Sequence, residues 1–143
     1  MKNTNHLWLY GIHACKMALM NLDRQIISIL ATSEGVLDKV LTDDARAKNQ
    51  SKVKMVDRQR LESLLPSGSV HQGIAVQVAP LIHTMIEDLR YNLMPNQCVV
   101  VLDQVSDPHN VGAILRSAAV FGAKAVILTD RNAPPETGAL AKL

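Results

Sequence analysis

The residue types best suited to chemistry stand between Asp103 and Arg116. An apolar run, Val99-Val100-Val101-Leu102, ends in the polar turn Asp103-Gln104-Val105-Ser106-Asp107. The turn opens into Pro108-His109-Asn110-Val111-Gly112-Ala113-Ile114-Leu115-Arg116. Ligands of α/β proteins sit beyond the carboxyl ends of the strands, so such a junction is a binding edge. Asp107 or Asn110 takes the N-cap position, and Pro108 between them fixes φ. The unpaired amides of a first helical turn receive anions. Gly112 and Ala113 leave room for a ligand or for close packing of helix on strand. Arg116 shares a face with Gly112, four residues earlier, and a guanidinium there can clamp a phosphate through two parallel hydrogen bonds. The same residues also read as a capped helix with a small-residue packing face and a solvated arginine. Asp103 either holds the loop together or orients Arg116. No Gly-x-Gly-x-x-Gly and no Gly-Lys-Ser/Thr occurs, which disfavours a dinucleotide site and a triphosphatase loop.

A second constellation is basic. Arg46, Lys48, Lys52, Lys54, Arg58 and Arg60 face one acid, Asp57, for a local excess of +5. Residues 80–143 hold five basic and six acidic residues. A phosphate-rich partner is therefore met by the first half, through Lys52, Lys54, Arg58 and Arg60, unless the run is a solvated face. His71 and Gln72 stand at the entry to a strand, where they either bond a neighbouring loop or touch RNA. His13, His71 and His109 lack metal-site spacing, so no metal is expected. Phe121 and Met55 read as core. Trp8 and Tyr10 suit either packing or stacking on a base.

Elements must position these groups. Cys15–Met20 suits a short helix, and Gln25–Leu30 a strand rich in β-branched isoleucine. Thr32 or Ser33 can cap a helix running to about Asn49, with Val36, Leu37, Val40 and Leu41 at helical spacing. Lys52–Val56 alternates like a half-exposed strand, Arg58–Leu65 is helical, Pro66–Ser69 turns, and Gly73–Val78 is a strand. Residues 1–79 thus alternate helix and strand as a small α/β/α layer. Pro80 and Pro95 bracket a connecting helix over Leu81–Met94. Cys98–Leu102 is continuously apolar, as in a parallel strand covered on both faces. A helix over Asn110–Phe121, stopped by Gly122, and a strand Ala125–Leu128 complete one βαβ unit. Two strands and one crossover helix cannot bury both sheet faces, so this half reads as the beginning of a larger domain.

The chain has 143 residues, 48% hydrophobic and 3% aromatic, with a net charge of +2. This composition predicts a packed globule with an aliphatic core and excludes disorder. Cys15 and Cys98 read as two free, buried thiols of a reducing compartment. No signal sequence and no bilayer-spanning stretch is evident, so a cytoplasmic protein without membrane contact is expected.

Three segments, in order, resemble a known family. They are Tyr10-Gly11-Ile12-His13-Ala14, Val70-His71-Gln72-Gly73-Ile74-Ala75 and Leu102–Ala118. The whole chain resembles the amino-terminal part of the SpoU/TrmH-type RNA 2'-O-methyltransferases of the SPOUT superfamily. The likeness is nearest to bacterial enzymes that methylate a guanosine ribose in 23S rRNA. The resemblance implies an L30e-like α/β/α RNA substrate-binding domain over 1–79 and a linker with a short helix over 80–95. It further implies that 96–143 is the first βαβ portion of a trefoil-knotted methyltransferase domain. By the same resemblance Asn110 and Arg116 line the target-ribose site, and S-adenosylmethionine is the methyl donor. Arg116 has been viewed as a base in this family. A guanidinium pKa above about 12 makes that costly, which favours a phosphate clamp, with Asn110 bonding Arg116 or the ribose.

The family's two further motifs, which form knotted loops around the donor, lie beyond residue 143. The resemblance therefore implies a homodimeric, donor-binding full-length enzyme. These residues alone are expected to bind no S-adenosylmethionine, to dimerise poorly and to be inactive. The alternatives are a tRNA ribose methyltransferase, a non-catalytic L30e-like RNA-binding module, and a scaffold that dimerises through its unfinished sheet.

Overall fold

A computed structural model describes residues 6–81 and 86–129, together with the backbone but not the side chain of Arg90. It divides into two compact units, the break falling after Leu81.

In the first unit the order of elements is β1 (Leu7–Tyr10), α1 (Ile12–Met20), β2 (Ile26–Ala31), α2 (Glu34–Val40), α3 (Asp43–Asn49), β3 (Val53–Met55), α4 (Arg58–Leu64) and β4 (Ile74–Val78). The sheet order is β1-β4-β2-β3. β4 runs antiparallel to both β1 and β2, while β2 and β3 are parallel. So β1, β2 and β3 point one way, and their carboxyl ends lie along one edge beside the start of β4. The chain leaves β1, β2 and β3 into helices at that edge. This is where binding crevices form in open α/β sheets.

Register explains the core. Tyr10 and Leu30 both pair with Ala75, which places them on one face. There they meet Leu61 and Leu65, with Trp8 packed alongside. Strand alternation turns Leu9, Val76 and Ile29 to the other face, and all three are buried there. Apolar burial on both faces makes the α/β/α arrangement self-sufficient.

Three expectations are corrected in this unit. The first element among the described residues is a strand, β1, that alternation could not reveal in four residues; Leu-Trp-Leu-Tyr forms it by pairing with β4. The helix expected to reach Asn49 is two helices. Leu41 turns to extended backbone, and Thr42 restarts the chain by accepting the Ala45 amide on its hydroxyl. Met55 is exposed rather than core, because β3 is the sheet's edge strand.

The second unit comprises α5 (Ile86–Asn92), β5 (Val99–Leu102), α6 (Pro108–Val120) and β6 (Ala125–Leu128). Residues 82–85 of the expected connecting helix lie outside the described residues, as does 130–143. β5 and β6 are parallel and in register from Val99 with Ala125 to Leu102 with Leu128, so α6 is a βαβ crossover. Val111, Gly112 and Ala118 form its buried stripe. Gly122 ends it at φ +69°. Two further expectations fail here. Phe121 is 85% exposed, because it stands at the helix C-cap, past the buried stripe. Cys98 is exposed, because it precedes the first paired residue of β5. Val101 is 64% exposed, so β5 is not covered on both faces among the described residues.

Candidate functional site

The β5–α6 junction resolves the capping question. The Asp107 carboxylate accepts the His109 amide at 2.9 Å, with Pro108 at the first helical position. Asp107 is therefore the cap, and Asn110 lies inside the first turn. Gln104, in the loop leading here, holds φ at +58°, a conformation non-glycine residues rarely adopt. Asn110 and Arg116 are both exposed. Six residues on a helix separate them by about 9 Å along the axis. Both side chains thus stand on the surface of the helix that leaves the carboxyl end of β5.

The His71-Gln72-Gly73 turn has a different character. Its backbone is left-handed at two successive residues, φ +52° at Gln72 and +80° at Gly73. Gln72 Oε1 accepts the Ile12 amide at 2.9 Å, satisfying an otherwise orphaned donor at the start of α1. The Gly73 carbonyl accepts the Thr32 amide at 2.9 Å, just after β2. The His71 ring is 4% exposed; its Nδ1 accepts the Gly73 amide at 3.1 Å and its Nε2 faces Glu62 of α4 at 3.7 Å. One turn thereby ties the junctions that lead into α1 and α2 to each other and lies against Glu62 of α4. His71 is turned inward, and its Nδ1 builds the turn. Gln72→Ala is expected to cost about 1 kcal/mol, the usual loss for a helix cap. Urea unfolding followed by Trp8, the one tryptophan of the chain, measures it.

The basic run is trimmed by tertiary contacts. Arg46 is paired with Glu34 and, at 2.6 Å, with Asp38. The Asp38 hydrogen bond, followed by that of Glu34, raises its pKa further. It braces α3 against α2 and is not offered to a ligand. Arg58 Nε donates to Glu62 Oε1 at 2.8 Å. That hydrogen bond holds the Glu62 carboxyl below its ordinary pKa. Lys54 and Arg60 are exposed and Lys52 half-buried.

A cleft of about 460 Å3 opens at this edge, lined by Thr32, Arg58, Ser69, Val70, His71, Gln72 and Gly73. It unites Arg58, His71 and Gln72 of the expected RNA-contacting residues and leaves Lys52, Lys54 and Arg60 outside its lining. Thr32, Ser69 and Val70 escaped sequence reasoning, because only the strand order brings the end of β2 against the start of β4. Among the described residues no cluster of His, Cys, Asp and Glu could hold a metal, and no helix is long and apolar enough to cross a membrane.

Comparison with known proteins places these two units. Residues 8–83 match the family described as RNA 2'-O ribose methyltransferase substrate binding, and residues 97–143 match the SpoU rRNA Methylase family. The chain is 36% identical over 130 residues to the 23S rRNA (guanosine-2'-O-)-methyltransferase RlmB of Haemophilus ducreyi, covering 87% of this chain and 52% of that protein. It is 34% identical over 141 residues to the uncharacterized tRNA/rRNA methyltransferase slr0955 of Synechocystis, covering 94% of this chain and 36% of that protein. The SpoU methyltransferase AviRb from Streptomyces viridochromogenes, solved in complex with the cofactor AdoMet, shares the fold. Its TM-score is 0.69 at 18% identity, over 96% of this chain and 50% of that chain. The chain spans about half the length or less of these relatives. A substrate-binding unit followed by the opening strands of a methylase unit, in that order along one chain, belongs to the SpoU family of RNA 2'-O-ribose methyltransferases.

Proposed function

We propose that the protein serves S-adenosylmethionine-dependent methylation of a ribose 2'-hydroxyl in RNA, at a guanosine of 23S rRNA. In this reading residues 1–79 grip the RNA, 80–95 link, and 96–143 open the methyltransferase domain of a cytoplasmic homodimer. The observation that carries it is the exposed pair Asn110 and Arg116 on a helix leaving the carboxyl end of β5, within a segment matched to the SpoU methylases.

The donor, when bound, supplies an electrophilic methyl group. The described residues do not fit it. The cleft of about 490 Å3 beside α5 is walled chiefly by the aliphatic Ile86, Leu89, Leu93, Val99 and Ile127; its two polar members, Glu87 and Tyr91, both stand on α5, and the other walls offer no partners for an adenine edge or a sugar. This chain's residues act on the acceptor instead. Arg116 grips the phosphate next to the target ribose with its planar fork, and the nearby positive charge lowers the cost of deprotonating the 2'-hydroxyl. Asn110 hydrogen-bonds the ribose. A separation of about 9 Å along the helix suits two grips on one nucleotide better than a bond between the two side chains. Their shared effect is alignment.

Deletion of the gene, followed by mass-spectrometric mapping of ribose methylation, tests this. Loss of one 2'-O-methylguanosine from 23S rRNA is expected. Loss from tRNA instead supports a second reading, since the name of the Synechocystis relative includes tRNA beside rRNA. Unchanged methylation in both RNAs overturns the proposal.

A further inference from the structure

We propose that the cleft of the first unit takes one unpaired nucleobase of the RNA, with the Arg58 guanidinium as its stacking surface and Val70 as its apolar contact. The inference rests on the reading above that RNA is bound.

Charge argues for a base over a phosphate. Three titratable groups face the cleft or its wall: Arg58, Glu62 and His71. Arg58 is paired with Glu62 at 2.8 Å, and the buried His71 ring is committed through Nδ1 to the Gly73 amide. With one cation offset by one anion, a phosphate gains little here. A flat, uncharged ring with a polar edge gains from dispersion and hydrogen bonding.

Shape agrees. A volume of about 460 Å3 lies in the range of small-ligand pockets. Trp8 and Tyr10 are committed to the core around Leu61 and the His71 ring is buried, which leaves the guanidinium as the flat surface. Unpaired bases stack on arginine planes as they do on aromatic rings. The Glu62 hydrogen bond to Nε fixes that plane and leaves the Nη groups outside the bond. Val70 is 68% exposed at the rim. Ser69 Oγ donates to the Pro66 carbonyl at 2.6 Å, so its lone pairs can accept from an amino group on a base edge. The Thr32 hydroxyl offers a second polar contact.

Rigidity completes the case. The wall formed by Gln72 and Gly73 is pinned to Ile12, Thr32 and His71 by three hydrogen bonds. Little ordering entropy remains to be lost on binding. Lys52 and Lys54, on or beside the edge strand β3, are left for sequence-independent backbone contact.

The test is fluorescence anisotropy of the 143-residue chain with labelled single strands of uridine or adenosine and a duplex, each about 12 nucleotides long. Single strands should bind more tightly than duplex. Arg58→Ala should weaken single-strand binding about tenfold while leaving duplex binding unchanged. Arg58→Lys should not restore it, because an ammonium has no plane. Val70→Glu, a change at an exposed site, should reproduce the loss, with circular dichroism confirming the fold. Lys54→Ala should weaken both RNAs alike and reduce the salt slope. Rescue by lysine, or an equal loss on duplex, makes Arg58 a phosphate contact and overturns the inference. RNA binding that ignores both cleft variants overturns it alone. Failure to bind any of these RNAs removes the RNA-gripping reading and this inference together.

Discussion

Gly73→Ala is expected to destabilise the first unit by roughly 2–6 kcal/mol, much of the stability of an ordinary domain. Two separate causes add. The backbone at Gly73 has φ +80°, where a side chain costs about 1–3 kcal/mol. A Cβ built there would also stand 2.5 Å from Thr32 Oγ1 and 3.3 Å from Val36 Cγ2. The Thr32 backbone is held by its amide bond to the Gly73 carbonyl at 2.9 Å, so relief must come from χ1 of a β-branched side chain, which has few rotamers. Relieving that overlap costs about a further 1–3 kcal/mol. Gly68 supplies the control. It has φ +78° but nothing within 4 Å of its Cβ position. Gly68→Ala should therefore show the backbone cost alone. Urea titration followed by Trp8 fluorescence reads both, since Trp8 packs in the first unit. Equal losses in the two variants would mean that the approach to Thr32 is not felt.

Arg116→Ala should lower ribose methylation by the gene product, purified from its source, at least about a hundredfold. Removal of one preorganised charge-stabilising donor has effects of this size. Arg116→Lys should recover a part, since it keeps the charge and loses the fork. The pH profile separates a clamp from a base. A guanidinium stays protonated up to about pH 12, so a clamp's removal scales the rate equally at every pH. A profile whose shape changes in Arg116→Ala would assign Arg116 a proton-transfer role and overturn the clamp. Asp107→Ala is not an equivalent variant, because it removes the cap of α6 and moves both Asn110 and Arg116.

What the chain reveals by itself is what local physics decides. Ile26–Leu30, Ile74–Val78, Val99–Leu102 and Ala125–Leu128 are strands because each is an apolar run dense in β-branched residues. The Gly122 stop of α6 follows from the dihedral preference of a single residue, whereas the choice between Asp107 and Asn110 as its cap was settled by the fold. Three short segments carried the family likeness for the same reason: they lie at strand–helix junctions, where few residue types are sterically allowed.

The tertiary structure alone decided which groups meet. β1 exists because β4 lies beside it, inserted between β1 and β2 and antiparallel to both. Gln72 caps a helix that begins 60 residues earlier, which no local pattern encodes. Arg46 counted as one of six basic residues until Glu34 and Asp38 closed on it from the preceding helix. For His71 the sequence left bonding within a loop and contact with RNA both open, and only the folded chain matches its ring nitrogens to Gly73 and Glu62. Periodicity and capping act over one or two helical turns; the pairing of distant donors, acceptors and charges depends on strand order, which only the folded chain supplies.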